Sequence, residues 1–329
     1  MTHSQHIQPV KTPSVVVTGA SGFVGRHLCS GLAAKGARVI AGVRESRVVA
    51  GTEASAVMTP ESSLEHLTAT LQGAQAVVHL AAAVHDVHGR TTEAEYWRVN
   101  RDYPLLLARA AVAAHVERFV FVSTIKVNGE GTTQDAAYRE DSHVSPHGPY
   151  AESKWQAEQS LLELSAASGL LTRIVRPPLV YGPGVRANFQ SLMRWVQRGV
   201  PLPFGALHNA RSLVYVENLA DLLTRLALGS ADASGSRTYL ISDGEDLSTP
   251  ELVRGIAAAL GVAPRLVPVP EFLLRNVLSA LGRGELIDRL LGSLRVDSSL
   301  VRRELGWSPP FSVAEGLART ATWFKGLTT

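Results

Sequence analysis

The feature that most constrains this chain is an apolar run near its start that breaks into regularly spaced glycines. Residues 15–17 are three valines, and Gly19, Gly22 and Gly25 follow them at intervals of three. β-Branched residues followed by glycines and a helical pattern predict a buried strand, a tight turn and the start of a helix. Because free N–H groups and a positive dipole end collect there, the segment predicts an anion site.

Each glycine has its own physical role in such a turn. Gly19 allows a sharp change of direction, and Gly22 leaves room where a pyrophosphate must approach. Gly25 lets the helix lie close to the strand. Glycines at this spacing also serve plain helix packing, but their position after a strand and near the chain start favours a dinucleotide-binding site.

Short apolar strands alternate with helical patterns along the first half of the chain. Strands are predicted over residues 14–18, 38–43, 76–80, 118–122 and 171–176, and helices over 93–114 and 148–169. This alternation predicts right-handed βαβ units, and therefore an α/β fold with a Rossmann-type doubly wound parallel sheet. We expect residues 14–178 to form mainly the nucleotide-binding domain. Residues 179–329 are then mainly a smaller α/β substrate-binding region packed tightly on it.

Composition narrows the functional classes. The 329 residues are 45% hydrophobic and 19% charged, with a net charge of +3, which is typical of a globular enzyme. Without a basic run, nucleic acid is not an expected partner. We also predict no integral membrane segment and a cytoplasmic location. The single cysteine, Cys29, is expected to be a core thiol.

The C-terminal half contains helix signals of two kinds. Ser248 with Glu251, and Ser312 with Glu315, have the spacing of a capping box. Residues 271–291 carry clustered leucines, which suit either an amphipathic helix at a membrane surface or a helix covering the core or the substrate. The second interpretation is favoured because it is the more common one.

A tyrosine and a lysine four residues apart, Tyr150 and Lys154, lie in the predicted helix over residues 148–169. This spacing places both on one helix face. A nearby ammonium lowers the pKa of a phenol, so Lys154 is expected to tune Tyr150. Thr124 follows the predicted strand over residues 118–122, where ligands gather in open α/β sheets. Together the three side chains predict a site of proton transfer.

Several other residues that suggest chemistry have simpler explanations. His79, His85 and His88 are close in sequence but lack carboxylates at regular spacing, so no metal site is predicted. Trp97, Trp155 and Trp195 are scattered over helical patterns. They are interpreted as packing residues.

The motifs together resemble the extended short-chain dehydrogenase/reductases, also called the NAD-dependent epimerase/dehydratase family. The resemblance spans nearly the whole chain, with the motifs in the expected order. They are TGASGFVG (18–25), HLAA (79–82), Asn100, VST (122–124), Tyr150 with Lys154, and RPPLVYGPG (176–184).

The resemblance implies a role for many of these residues. Thr124, Tyr150 and Lys154 would be catalytic, with Lys154 also binding the nicotinamide ribose. Asn100 would bond backbone near the catalytic strand. The remaining cofactor contacts would come from Gly19, Gly22, Phe23, Val24, Gly25, Arg44, Ala81 and Pro177. In the substrate half, Asn188 and Arg211 would contact a diphosphate, and Phe204 would lie near the nucleobase.

The cofactor is expected to be NADP(H), with NAD(H) possible. Relatives that prefer NAD place an acid at the end of the second strand, where it accepts from the adenine ribose. This chain has Arg44 there, a cation suited to a 2′-phosphate, although the adjacent Glu45 keeps NAD open.

The resemblance also narrows the reaction. Nucleotide-sugar 4,6-dehydratases carry Thr-Asp-Glu where this chain has Thr124-Ile125-Lys126, so a dehydratase is not expected. The leading expectation is NADPH-dependent C4 reduction of a UDP-4-keto-6-deoxy-N-acetylhexosamine, for surface polysaccharide such as lipopolysaccharide O-antigen. A UDP-glucose or UDP-N-acetylglucosamine 4-epimerase with tightly bound NAD is the alternative. A non-catalytic NADP-binding regulator is a minor one, and a homodimer is expected by analogy.

Overall fold

The computed structural model describes residues 12–84, 91–133, 135–229, 235–280 and 291–327. Its strands are β1 (Ser14–Thr18), β2 (Arg38–Val43), β3 (Ala54–Val57), β4 (Ala76–His79), β5 (Arg118–Val122), β6 (Leu171–Arg176), β7 (Leu179–Tyr181), β8 (Arg211–Tyr215), β9 (Arg237–Leu240) and β10 (Asp246–Leu247).

Helices connect and cover these strands. They are α1 (Phe23–Ala34), α2 (Leu64–Leu71), α3 (Glu93–Tyr96), α4 (Tyr103–Ala113), α5 (Gly148–Ser168), α6 (Ala187–Gln197), α7 (Val216–Leu228), α8 (Thr249–Leu260), α9 (Glu271–Ala280), α10 (Ser299–Leu305) and α11 (Val313–Lys325). A π-helical segment, Trp97–Asp102, joins α3 to α4. The predicted helix over residues 93–114 is therefore continuous but widened in its middle.

Seven of the described strands form one parallel sheet, in the order β3-β2-β1-β4-β5-β6-β9. The chain runs outward in one direction from β1 to β3 and then resumes on the other side at β4. Ligands in such sheets bind outside the carboxyl ends of the strands where the order reverses. The prediction of a Rossmann-type α/β fold is confirmed, and the switch point lies between β1 and β4.

The second sheet is small, with the order β10-β8-β7. A hydrophobic core separate from those of the large sheet lies around it, with residues from α6, α8 and α11. β9 and α7 also come from the second half of the chain, yet β9 extends the large sheet and α7 packs on α1. These two elements cross the predicted boundary at residue 178. The division into a nucleotide-binding and a substrate-binding region therefore stays a prediction about where most of each region lies.

Local signals in the C-terminal half agree with the structure in part. Both capping boxes are formed, at the starts of α8 and α11. α9 covers the first ten residues of the leucine-rich stretch, and its Phe272 side chain is 63% exposed. The rest of that stretch, up to residue 290, lies outside the described residues.

Two further expectations concern the surface and the core. Within the described ranges, no helix has the length and apolar character needed to span a membrane. Cys29 is buried among apolar side chains, and burial raises the pKa of its thiol to about 12. It is therefore an inert core thiol, as predicted.

Candidate active site

The turn after β1 has the geometry that its glycines predict. Gly19 adopts a φ of +69°, and a Cβ there would lie 2.7 Å from the backbone nitrogen of Ala81. The N–H of Gly22 donates to the Gly19 carbonyl at 2.9 Å, closing the turn. A Cβ on Gly25 would collide with the backbone of the same turn. The β1 turn, the chain after β4 and the start of α1 can approach this closely only because these positions lack side chains.

A cleft of about 510 Å³ opens at this switch point. Gly19, Gly22, Arg44 and Ala81 line it, so these four predicted cofactor residues come together. Phe23 and Val24 do not line it, because their side chains turn toward the second core. The glycine turn and the open helix start fit a dinucleotide pyrophosphate.

Pro177 lies at the carboxyl end of β6. It is buried, and its carbonyl accepts a hydrogen bond from the N–H of Ile125 at 3.0 Å. This bond ties the end of β6 to the turn that follows Thr124. The structure therefore places Pro177 beside the catalytic candidates.

Charges at the end of β2 are arranged asymmetrically. The exposed carboxylate of Glu45 is paired with Arg47 at 3.6 Å. No ion-pair partner for Arg44 is present in the described parts of the chain, although its side chain lines the cleft. A guanidinium is thus available where the sequence predicts one.

Thr124, Tyr150 and Lys154 come together at the carboxyl end of β5. Thr124 is the N-cap of a short 3₁₀ turn, Ile125–Val127, and its hydroxyl accepts from the N–H of Lys126 at 3.3 Å. The Thr124 side chain also lies close enough to the Tyr150 phenol to lower its pKa. The ammonium of Lys154 donates to the carbonyl of Val122 at 2.9 Å. The three predicted residues therefore form one cluster.

The predicted tuning of Tyr150 by Lys154 stays a prediction, because the pKa of Tyr150 responds to other groups in this structure. Burial raises the pKa of the Tyr150 phenol above its ordinary value, and the nearby Thr124 side chain opposes that rise. Lys154 is not among the groups that shift it. Burial lowers the pKa of the Lys154 amine to about 7, with Glu158 acting in the opposite direction. The phenol is therefore neutral at pH 7.

His79 and the tryptophans have different surroundings. The Nδ1 of His79 is 2.8 Å from the hydroxyl of Thr18, and burial lowers its pKa well below the ordinary value. No cluster of three potential metal ligands occurs among the residues described, and His85 and His88 lie outside them. Trp195 is 46% exposed and lines a second cavity, so its interpretation as a packing residue is wrong.

The second cavity, of about 380 Å³, lies between α6, β8 and the start of α8. Its lining is mainly apolar, and it brings together Asn188, Phe204 and Arg211. Arg211 is anchored through Nη1 to the carbonyl of Gly292 at 2.8 Å. An apolar cavity with a few polar groups is the usual form of a small-molecule site.

The fold and the cleft at its switch point define a Rossmann-type dinucleotide-binding protein. More narrowly, the chain belongs to the NAD-dependent epimerase/dehydratase family, whose family model matches residues 15–242. It is therefore an enzyme of an NAD-dependent family.

Relatives support this assignment over the full length. A UDP-glucose 4-epimerase of Vibrio cholerae is 36% identical over 314 residues, covering 94% of this chain and 95% of that protein. A 2-alkyl-3-oxoalkanoate reductase of Stenotrophomonas maltophilia is 30% identical over 339 residues, covering 93% and 97%. Among solved structures, MoeE5 in complex with UDP-glucuronic acid and NAD superposes with a TM-score of 0.75 at 28% identity, covering 95% of this chain and 99% of that one.

Proposed function

We propose that this protein is an NAD(P)-dependent oxidoreductase acting at C4 of a nucleotide sugar. The leading reaction is NADPH-dependent reduction of a UDP-4-keto-6-deoxy-N-acetylhexosamine. The cluster of Thr124, Tyr150 and Lys154 supports a reaction at a carbonyl or hydroxyl group. Two relatives support a nucleotide-sugar substrate, one named as a UDP-glucose 4-epimerase and the other solved with UDP-glucuronic acid.

The residues of the cleft fit the dinucleotide that the family requires. Gly19, Gly22 and Gly25 would hold the pyrophosphate against the start of α1, with Ala81 opposite them. Lys154 would bind the nicotinamide ribose through the donors it does not give to Val122. The bound reduced nicotinamide would supply a hydride. Phe23 and Val24 would contribute only their backbone N–H groups.

The chain itself manages the proton and the position of the substrate carbonyl. Tyr150 would donate the proton of its phenol to the C4 oxygen as that carbon is reduced. Thr124 would hydrogen-bond the same oxygen and hold it at the phenol. Burial raises the pKa of Tyr150, so the phenol is neutral at pH 7 and carries the proton that it would give.

The second cavity would hold the nucleotide part of the substrate. Arg211 and Asn188 would bind the diphosphate, since a guanidinium matches phosphate in charge and geometry. Phe204 and Trp195 offer apolar surface for the base.

The single observation that favours a reductase is the position of Arg44. An exposed guanidinium without an ion pair among the described residues suits a 2′-phosphate, and the competing Glu45 is held by Arg47. A reductase must exchange its cofactor after each turnover, and the cytosolic reductant for synthesis is usually the phosphorylated form. The setting we propose is precursor synthesis for surface polysaccharide.

The second candidate is a UDP-sugar 4-epimerase, which would use the same cluster with tightly bound NAD. The similarity to the Vibrio cholerae UDP-glucose 4-epimerase, which extends over nearly the entire chain, favours it. The regulator hypothesis has no comparable support, because Tyr150 and Lys154 are both present in one cluster. The homodimer stays a prediction.

One assay separates the two candidates. The purified protein is mixed with a UDP-4-keto-6-deoxy-N-acetylhexosamine and either NADPH or NADH, and in parallel with UDP-glucose or UDP-N-acetylglucosamine without added cofactor. Stoichiometric oxidation of NADPH with a C4 alcohol as product supports the reductase. Inversion at C4 without added cofactor, in a protein that copurifies with NAD, would replace it with the epimerase.

A further inference from the structure

A fully buried ion pair lies next to the catalytic cluster. Glu158 follows Lys154 by one turn of α5 and has 0% of its surface exposed. Arg176, at the carboxyl end of β6, donates from Nε to Oε1 of Glu158 at 3.0 Å and from Nη2 to Oε2. The guanidinium thus holds the carboxylate with two donors, which fixes its orientation as well as its charge.

Another nitrogen of the Arg176 guanidinium reaches a third element. Its Nη1 donates to Oδ1 of Asn128 at 3.0 Å, and Asn128 directly follows the turn that begins at Thr124. The ring of Trp155 covers the guanidinium, with 5.6 Å between the guanidinium carbon and the ring centre. Arg176 therefore joins α5, β6 and the turn after β5. Lys154 lies on α5, Pro177 directly follows β6, and Thr124 begins the turn.

Lys154 is itself 2% exposed, so its charge needs support from neighbours. The ammonium lies against the Val122 carbonyl and over the Phe121 ring, 4.6 Å from the ring centre. The Val122 carbonyl and the Phe121 ring carry no formal charge, so neither of them neutralises the ammonium.

The titratable groups facing Lys154 come from three elements. Glu158 and Tyr150 lie on its own helix, His79 on β4 and Arg176 on β6. His79 and Tyr150 are neutral at pH 7, because burial lowers the pKa of the first and raises that of the second. Arg176 contributes positive charge. Within the described residues, the carboxylate that favours the charged form of Lys154 is that of Glu158.

We propose that Glu158, fixed by the two-donor contact from Arg176, is a positioning residue that favours the ammonium form of Lys154 at the end of β5. The form of the amine matters to the proposed role of Lys154. An ammonium has three donors, so after bonding the Val122 carbonyl it keeps two for ribose hydroxyls. A neutral amine in the same place keeps one. The inference rests on the proposed function, in which Lys154 binds the nicotinamide ribose.

The composition of the chain makes the charge of Lys154 directly measurable. There are five lysines, at positions 11, 35, 126, 154 and 325. Protein carrying ¹³C at the lysine ε-carbons therefore gives a small set of NMR signals, and the signal missing in Lys154→Met is that of Lys154. In the native protein its midpoint is expected near the value to which burial lowers the pKa, about 7.

The decisive variant is Glu158→Gln, which keeps the size of the side chain but removes the charge and one of the two oxygens that accept from Arg176. We expect the Lys154 midpoint to fall by about one pH unit or more, since a pKa reports the difference in interaction between the two protonation states. Glu158→Asp, which retains a carboxylate, should restore most of the shift. Glu130→Gln is the matched control, because Glu130 pairs with Lys126 at the same spacing of four residues, at 2.7 Å.

A variant that leaves Arg176 buried without its partner could fail to fold. In that case Glu158→Gln is combined with Arg176→Met, which leaves neither charge in the core. Because Glu158, and not Arg176, is among the groups that shift the pKa of Lys154, the midpoint should still fall. A Lys154 midpoint equal to that of the native protein, in whichever of the two variants folds, would overturn the proposal. No substrate enters this measurement, so its failure is distinct from failure of the proposed reaction.

Discussion

The side-chain amide of Asn100 is hydrogen-bonded to both backbone groups of Ala83. Its Oδ1 accepts from the Ala83 N–H, and its Nδ2 donates to the Ala83 carbonyl, each at 2.9 Å. Nδ2 also lies 3.3 Å from the hydroxyl of Ser153, which in turn donates to the carbonyl of Tyr150 at 2.9 Å. One buried amide in the π-helical segment therefore links the chain after β4, which lines the cofactor cleft, to the turn of α5 that carries the phenol.

Asn100→Leu is expected to destabilise the protein and to lower its activity together. The change leaves both polar groups of Ala83 without their partner, at a cost of about 2 to 3 kcal/mol in the free energy of unfolding. Urea denaturation gives the stability, and turnover at a temperature where the variant is folded gives the activity. Arg101→Ala, on the exposed side of the same segment, is the control and should change stability by under ~0.5 kcal/mol. Equal stability of Asn100→Leu and the native protein would contradict the structural role given to this amide.

Arg44→Ala tests the cofactor preference. Loss of a charge-assisted contact to a 2′-phosphate is expected to weaken NADPH binding about 10- to 100-fold, while NADH binding changes less than ~3-fold. Fluorescence titration of the two reduced dinucleotides measures both affinities. Arg38→Ala, at the other end of β2 and paired with Glu53 at 3.0 Å, should alter neither. If Arg44→Ala weakens NADH and NADPH to the same extent, the guanidinium does not read the phosphate.

Tyr150→Phe tests the proton donor. The variant keeps the ring but has no proton to give, so kcat should fall by about 10²- to 10⁴-fold with NADPH affinity nearly unchanged. Single-turnover rates and a dinucleotide titration separate the two effects. Tyr239→Phe serves as the control. Tyr239 lies on β9 and its phenol donates to Glu304 at 3.0 Å, so this variant should retain turnover. Turnover by Tyr150→Phe at the native rate would assign proton transfer to another group.

The large sheet was readable from the sequence because its strands are short apolar runs placed between helical patterns. β3 was not, since Ala54–Val57 lies at the sheet edge with most of its side chains exposed and carries little apolar pattern. β7 was hidden inside a Pro- and Gly-rich segment that reads as a loop. Nothing in the sequence of residues 97–102 marks a π-helical segment.

The catalytic candidates were found because each lies in a short local motif. The Glu158, Arg176 and Asn128 network was missed because its members lie on separate elements, and isolated polar residues usually occupy surfaces. One signal was present: Glu158 follows Lys154 at the spacing of a helical ion pair. Its importance becomes evident only once α5 is known to be buried on that face.

Lys154→Met should make the protein more stable while removing its activity. In the folded protein burial lowers the pKa of this amine to about 7, whereas in the unfolded chain it keeps its ordinary value of 10.5. The unfolded state therefore binds more protons between these two pH values, so the native protein gains stability as pH rises through that window. Methionine avoids the cost of burying a charge, and we expect a gain of about 1 to 2 kcal/mol in the free energy of unfolding at pH 7 that shrinks toward pH 10.

Denaturant midpoints across this pH range measure the gain, and Lys35→Met, on the exposed end of α1, controls for the loss of a surface lysine. A gain that stayed constant with pH would mean that packing rather than charge burial separates the two proteins.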